Sequence, residues 1–263
     1  MFDNWDSEAH LWRIACVTNS GTVSDKHQLA ATTMMRRLKQ WGARGAILRL
    51  NLFAGDQFAA AQTPIVATKG TALDTIGAGS FTYTNGVGLT TGDSGYLKTG
   101  FTPSSDLASA NIGHVAVVVV NNTSASTPQF GVGSDNGTDI PMFLISPGSG
   151  LAAAELDGGI SQSGYTSVNL TGLSRVGTFM LSRKASNDIT HLLNETVGSH
   201  DTSPAASSRP TAQVYVFARN HGGTADSFCQ RTLGGYSLGV GIGSDESIRG
   251  FGIAFNAFAR DRQ

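Results

Sequence analysis

One short run limits the fold more than any other stretch. From 114 to 120 the chain reads His-Val-Ala-Val-Val-Val-Val, apolar at odd and even positions alike. Successive side chains of a strand point to opposite faces, so such a run predicts a central strand rather than an edge one. A second stretch, 213–238, joins two apolar segments through a polar one. Val214, Val216 and Ala218 alternate with Tyr215, Phe217 and Arg219, which predicts a strand packed on both sides. The following Asn220-His221-Gly222-Gly223-Thr224-Ala225-Asp226 predicts a turn, and Phe228, Cys229, Leu233, Tyr236 and Leu238 lead back inside. The expectation is two neighbouring core strands that hold up an exposed polar tip.

Shorter strands surround these two. Ile47, Leu48 and Leu50 open the β pattern, Phe81 and Tyr83 alternate with threonines, and Asn85-Gly86 reads as a hairpin turn before Val87 and Leu89. Further strands are expected at 142–145, 151–156, 176–183 and 189–193, with turns at Asn121-Asn122, Ser134-Asp135-Asn136-Gly137 and Ser146-Pro147-Gly148. Residues 196–209 read as a long polar surface loop. Composition agrees: 33 of 263 residues are glycine and charged residues make up 14%, against about 25% in ordinary domains. Short strands and many turns favour a sandwich or barrel over any helical fold.

Helical spacing is confined to the two ends. Residues 6–19 predict a helix capped by Asp6 or Ser7, with Leu11, Ile14 and Ala15 as its apolar stripe. A second helix begins at Ser24 and carries Ala30, Met34, Leu38 and Trp41 on one face. Arg36, Arg37 and Lys39 lie near its negative end and Gly42 follows as the stop. Ser244-Asp245-Glu246 opens a last helix with Ile248, Phe251, Phe255 and Phe258 at helical spacing. The expected organisation is a helical hairpin over 1–45, packed on the sheet or on a neighbouring subunit, and a β-sandwich over 46–263 ending in a docked helix.

A formal net charge of −1 and the lack of a basic stripe argue against nucleic acid and anionic membranes as partners. No stretch approaches eighteen consecutive apolar residues, and the first residues lack the basic and apolar regions of a signal peptide. A soluble protein made in a cytoplasm is expected. Cys16, in a predicted helix, and Cys229, in a predicted strand, form no disulfide framework or metal spacing and read as small buried apolar residues.

Several segments together resemble a family of phage-encoded and prophage-encoded virion proteins with a concanavalin A-like, or laminin G-like, sandwich. They are Leu38-Lys39 with Trp41, Leu52-Phe53-Ala54-Gly55-Asp56-Gln57, and Tyr96-Leu97-Lys98-Thr99-Gly100-Phe101-Thr102-Pro103-Ser104. Val214-Tyr215-Val216-Phe217-Ala218-Arg219-Asn220 with Gly222-Gly223, and Tyr236-Ser237-Leu238-Gly239, complete the set. Lys98 departs from it, standing where an acidic residue is expected before Thr99-Gly100. The resemblance implies a mainly β, concanavalin A-like jelly-roll sandwich and a structural role in the virion as tail fibre, spike or head decoration. It implies no catalytic residues.

Motifs for chemistry are incomplete. Glu155-Leu156-Asp157 resembles half of the catalytic strand of laminarinase-like glucanases, but Gly158, Gly159 and Ile160 follow where the acid partner is needed, and a Gly-Gly turn is the plainer reading. Gly92-Asp93-Ser94-Gly95 resembles the serine loop of trypsin-like proteases, yet the upstream His10 and His27 lie in amphipathic helices. His114, His191, His200 and His221 show no paired metal spacing. Residues 134–139 carry oxygens suited to calcium but lack the twelve-residue loop with its final Glu, so an Asx-type turn is preferred. Gly239–Gly243 lacks the Lys-Ser/Thr of a phosphate loop.

No metal, cofactor or catalytic residue is therefore assigned, and the chain reads as a non-enzyme. The best surface candidate combines three polar turns: Asn121 and Asn122, Asp135 and Asn136, and Arg219, Asn220, His221 and Asp226. Amides and carboxylates beside an aromatic or Arg suit sugar hydroxyls, so host surface glycan is the expected ligand. Other virion proteins and further copies of this chain are the expected partners, because Trp12, Met34, Met35 and Trp41 offer more apolar surface than one sheet face covers. A purely architectural virion protein and a glycan depolymerase are the alternatives.

Overall fold

The computed structural model describes residues 5–92, 94–121, 131–138, 141–149, 153–162, 166–169, 176–202 and 208–263. Two helices, α1 (Ser7–Thr18) and α2 (Asp25–Gln40), lead through a 3-10 turn into β1 (Ile47–Asn51). A short helix, α3 (Phe58–Ala61), precedes β2 (Val66–Ala67), β3 (Thr75–Ala78), β4 (Phe81–Thr84), β5 (Gly88–Thr91) and β6 (Tyr96–Lys98). After α4 (Pro103–Asp106) come β7 (Gly113–Asn121), β8 (Val132–Asp135), β9 (Met142–Ser149), β10 (Ala153–Gln162) and β11 (Thr166–Asn169). The last strands are β12 (Gly177–Ala185), β13 (Asp188–Leu193), β14 (Thr196–Asp201), β15 (Tyr215–Val216), β16 (Arg219–His221), β17 (Thr224–Asp226) and β18 (Thr232–Gly239). Helix α5 (Asp245–Asp261) closes the chain.

These strands form a mainly β sandwich of two sheets. The first runs β14-β13-β12-β7-β18-β1-β2, with the β4–β5 hairpin attached to β18. The second runs β11-β10-β9-β8-β15-β6-β3, with the β16–β17 hairpin attached to β8. Strand β7 is central, as its apolar run requires: it pairs with β12 on one side and β18 on the other. Val115, Val117 and Val119 face the inter-sheet core with Phe179, Leu181, Val132, Phe143 and Ile145. Ala116 and Val118 face the other way, into a second core with Met34, Leu38, Phe251 and Phe255 of α2 and α5. Three layers result, helices on first sheet on second sheet, and each fully buried Leu or Phe contributes about 1.5–3 kcal/mol.

Capping chemistry sets the helix limits. The Asp6 carboxylate accepts the Glu8 N–H to start α1, and the Ser244 hydroxyl accepts that of Ser247 to start α5. The buried stripe of α1 is not the expected one. Ala9, Trp12 and Cys16 turn inward, while Leu11 is 62% and Ile14 50% exposed. Both sets satisfy helical periodicity; the inward one wins because Cys16 fits against Ala60 of α3 and the Trp12 indole N–H donates to the Thr63 carbonyl at 2.9 Å.

Other expectations change as well. Gly158 and Gly159 lie within β10, opposite Ile145 and Leu144, rather than in a turn. Strand β9 continues through Ser146 and Pro147, so that turn is absent too. Residues 196–201 are not loop but an edge strand, β14, on β13. The segment 213–219 is not one strand either. Phe217 has φ +68°, a left-handed conformation that lets Val216 and Phe217 both enter the core and separates β15 from β16. Strands β15 and β16 belong to the second sheet and β18 to the first, so the two apolar segments are not neighbours; Cys229 sits in the connection between the sheets.

A buried polar knot fixes the segment before β3. Arg49 donates through Nε to the Tyr236 hydroxyl at 2.7 Å, through Nη1 to the Thr71 carbonyl at 2.7 Å, and through Nη2 to Asp74. Asp74 also accepts from the Tyr236 hydroxyl and the Asn51 amide, each at 2.7 Å. Both charges are wholly buried and the carboxylate is paired at each oxygen, the condition under which an interior ion pair is tolerated.

Candidate glycan-binding face

Helices cover the first sheet, so the outer side of the second sheet is where its alternate side chains can meet a ligand. Cross-strand register identifies them. Leu97, Val132 and Val216 point into the inter-sheet core. Tyr96, Lys98, Tyr215 and Gly133 therefore take the outer side, Tyr215 lying opposite both Lys98 and Gly133. Met142 and Leu144, buried apart from both main cores, share that side.

The β16–β17 hairpin extends the same face. β16 runs parallel to β8, placing Arg219 beside Gly133, Asn220 beside Ser134 and His221 beside Asp135. Its approach depends on glycine. Gly222 (φ +59°) and Gly137 (φ +86°) touch backbone to backbone, and a Cβ on Gly222 would lie 2.9 Å from the Gly137 Cα. The 134–138 and 220–226 turns thus meet, which the sequence could only suppose.

Their side chains form one ionic cluster. Arg219 grips Asp226 with two parallel bonds, Nε to Oδ1 at 2.8 Å and Nη2 to Oδ2 at 2.6 Å. Its Nη1 lies 3.4 Å from Oδ2 of Asp135, and Nδ1 of His221 lies 2.8 Å from Oδ1 of the same carboxylate. Asp135 is fully buried and also accepts the Gly137 N–H at 2.7 Å, which makes the 135–137 segment the Asx turn expected in place of a calcium loop. Asp135 positions Arg219 and His221; the Asp226 and His221 side chains, 36% and 30% exposed against 12% for Arg219, are the parts that meet solvent.

Beside the cluster lies an aromatic stack. The rings of Tyr96 and Tyr215 are 4.5 Å apart, and Phe228 tilts against Tyr96 at 6.5 Å. Tyr96 spreads over Gly77 of β3, where any Cβ would strike its ring. Burial and the Tyr96 hydroxyl hold the Tyr215 phenol above its ordinary pKa, so it stays a neutral donor. Tyr96 and Phe228 are half-buried and supply the apolar surface.

The sequence-predicted residues divide accordingly. Asp135, Arg219, His221 and Asp226 converge. Asn136 is exposed and its Oδ1 accepts from the Thr211 N–H at 2.8 Å and hydroxyl at 3.0 Å. Asn220 is buried and shapes the hairpin instead of facing solvent, donating to the Gln213 carbonyl at 2.7 Å and accepting the Gly223 N–H at 2.8 Å. Asn121 does not join them. Gly131 packs on Val117 and Gly113 on Phe143, the residue opposite Ser134, so Asp135 lies at the Gly113 end of β7 and Asn121 at the other. That is roughly 26 Å along a strand rising about 3.3 Å per residue. Asn122 and Asp139 fall outside the described residues, as does Asp93 of the protease-like motif. Glu155 and Asp157 stand in β10 opposite Asn169 and Ser167. Tyr96, Lys98 and Phe228 lie on the same face without having been singled out in the sequence; the alternation of Tyr96 and Lys98 about the apolar Leu97 was the available signal.

Among the described residues no three His, Cys, Asp or Glu side chains are placed to hold a metal ion, and no helix is long and apolar enough to cross a membrane. No protein-family model matches the sequence, and no curated protein matches it. Solved structures do match in shape. Domain 4 of AbnA, an extracellular arabinanase from Geobacillus stearothermophilus solved with arabinotriose, superposes with a TM-score of 0.50 at 13% identity, over 83% of this chain and 98% of that one. The binding domain of botulinum neurotoxin serotype D gives a TM-score of 0.50 at 6% identity, over 80% of this chain and 51% of that one. At such identities the likeness is one of fold: this chain shares with both a mainly β sandwich built from two sheets.

Proposed function

We propose that this protein is a non-enzymatic carbohydrate-binding component of a phage or phage-like particle, and that the outer face of its second sheet, around Tyr96, Arg219 and Asp226, holds the glycan. In this reading the two sheets are a concanavalin A-like jelly roll. The observation that carries it is one-sidedness: helices seal one sheet, while the other sets an aromatic stack beside an Arg–carboxylate cluster. A sugar ring needs an apolar surface for its C–H face and several convergent donors and acceptors for its hydroxyls. The arabinotriose bound to the arabinanase domain, and the binding role in the name of the toxin domain, support the same reading.

The particle setting rests on the motif resemblance, and locating the protein in purified virions tests it. The apolar surface expected from Trp12, Met34 and Met35 is buried within the chain and leaves nothing for a second copy to cover; assembly with further copies is supported instead by the exposed row Leu11, Ile14 and Val17 on α1, and light scattering reads it directly. For binding itself, a glycan array probed with the protein and its Tyr96→Ala variant decides. Binding that weakens about tenfold in the variant, or 1.4 kcal/mol, is expected; equal binding by both proteins would place the sugar elsewhere.

A further inference from the structure

We infer that the face around Arg219 selects uncharged glycans and rejects acidic ones; this rests on the reading of the face as a sugar site and specifies its ligand class. Capture of a carboxylate or sulfate calls for a cation with donors directed at the anion. Here the guanidinium is committed elsewhere. Two of its donors hold Asp226 side by side at 2.8 and 2.6 Å, and a third nitrogen lies 3.4 Å from Asp135. His221 lies against the same Asp135 at 2.8 Å. Among the described residues around this cluster, Lys98, opposite Tyr215, adds a second fixed cation to the two carboxylates.

The carboxylate facing solvent is Asp226, whose side chain is three times as exposed as that of Arg219. An arriving anion would meet that negative group before the guanidinium, and like charges brought together in a partly desolvated site repel. An uncharged sugar meets no such barrier. Neighbouring hydroxyls can donate to the unused lone pairs of Asp226 while accepting from the edge of the cluster, and the ring can lie on Tyr96 and Phe228. The ion pair fixes the cluster's geometry before the ligand arrives, so little ordering is needed on binding.

Affinity electrophoresis separates the possibilities. The uncharged probes are dextran, mannan and arabinan; the acidic probes are polysialic acid and polygalacturonate, each run at low and high salt. Retardation by at least one uncharged polymer, little changed by salt, and none by the acidic polymers is the expected result. Asp226→Asn should lose about tenfold in uncharged binding and gain acidic binding that salt abolishes, because the substitution releases the guanidinium. Should that variant fail to fold, judged by its melting curve, Asp226→Glu retains the charge and should retain the preference. Acidic polymers binding as well as uncharged ones, or better, overturns the selectivity and leaves the sugar site standing. Retardation by none of the polymers, with the protein folded, counts against both.

Discussion

At the scale of single residues, His114 carries the clearest consequence. It opens the apolar run of β7, wholly buried, with Nδ1 2.7 Å from the Val240 carbonyl and Nε2 2.8 Å from the Ser237 hydroxyl. Burial pushes its pKa down to about 4 from an ordinary 6.5, the Val240 carbonyl opposing only in part. A base depressed on folding keeps its stabilising effect above the unfolded value and loses it as pH falls toward the folded one. Stability should therefore drop between about pH 6.5 and pH 4, by about 3 kcal/mol from this residue. Urea unfolding at a series of pH values measures it, and His114→Gln should show a shallower fall than the parent. His27, buried beside Asp56, is depressed in the same sense, so the comparison of the two proteins, not the parent profile alone, isolates His114.

At the scale of elements, α5 is held to the sheet layer by what it lacks. A Cβ on Gly252 would sit 1.8 Å from the Asn194 carbonyl oxygen, and one on Gly250 would enter the Trp41 ring. These glycines let the helix backbone lie directly on the β13–β14 turn and on the end of α2, so that Phe251 and Phe255 reach the sheet. In an isolated helix Gly→Ala is stabilising by about 1 kcal/mol. Gly252→Ala is expected instead to cost about 2 kcal/mol or more through overpacking, while Gly45→Ala, whose new methyl would touch nothing within 4 Å, should be close to neutral. Thermal melting of both variants makes the comparison. The same logic governs the hairpin: Gly222 permits the contact with Gly137 that carries Arg219 and His221 onto the outer face.

At the scale of the whole molecule, the two cysteines report separate layers. Cys16 lies in the core between helices and first sheet, Cys229 in the core between the sheets, and both are buried free thiols. Burial raises both, Cys16 to about 12, so neither thiolate forms readily in the folded protein. Because β7 supplies alternate side chains to both cores, opening one layer strips a face from the strand that holds the other. A disulfide reagent should then modify Cys16 and Cys229 at one common rate across a urea series. Earlier reaction at Cys16 would show that the helical layer opens by itself.

Local sequence was sufficient wherever neighbours along the chain set the outcome. The caps of α1 and α5, the charges and limits of α2, the Asn85-Gly86 hairpin and the double-faced β7 are all local patterns, and the structure contains each of them. Local sequence also placed Asp135, Arg219, His221 and Asp226 on or beside polar turns, since Gly, Asn and Asp mark such turns locally. Tertiary structure alone decided which of two equally periodic stripes α1 buries, that Gly158 and Gly159 continue a strand, and that Phe217 breaks one. Those outcomes depend on what lies opposite in space, namely an alanine, a paired backbone and a core with room for adjacent side chains. The site was divided the same way. Only the packing of β8 against β7 sends Asn121 to the far rim, and only the parallel pairing of β16 with β8 brings two distant turns into contact.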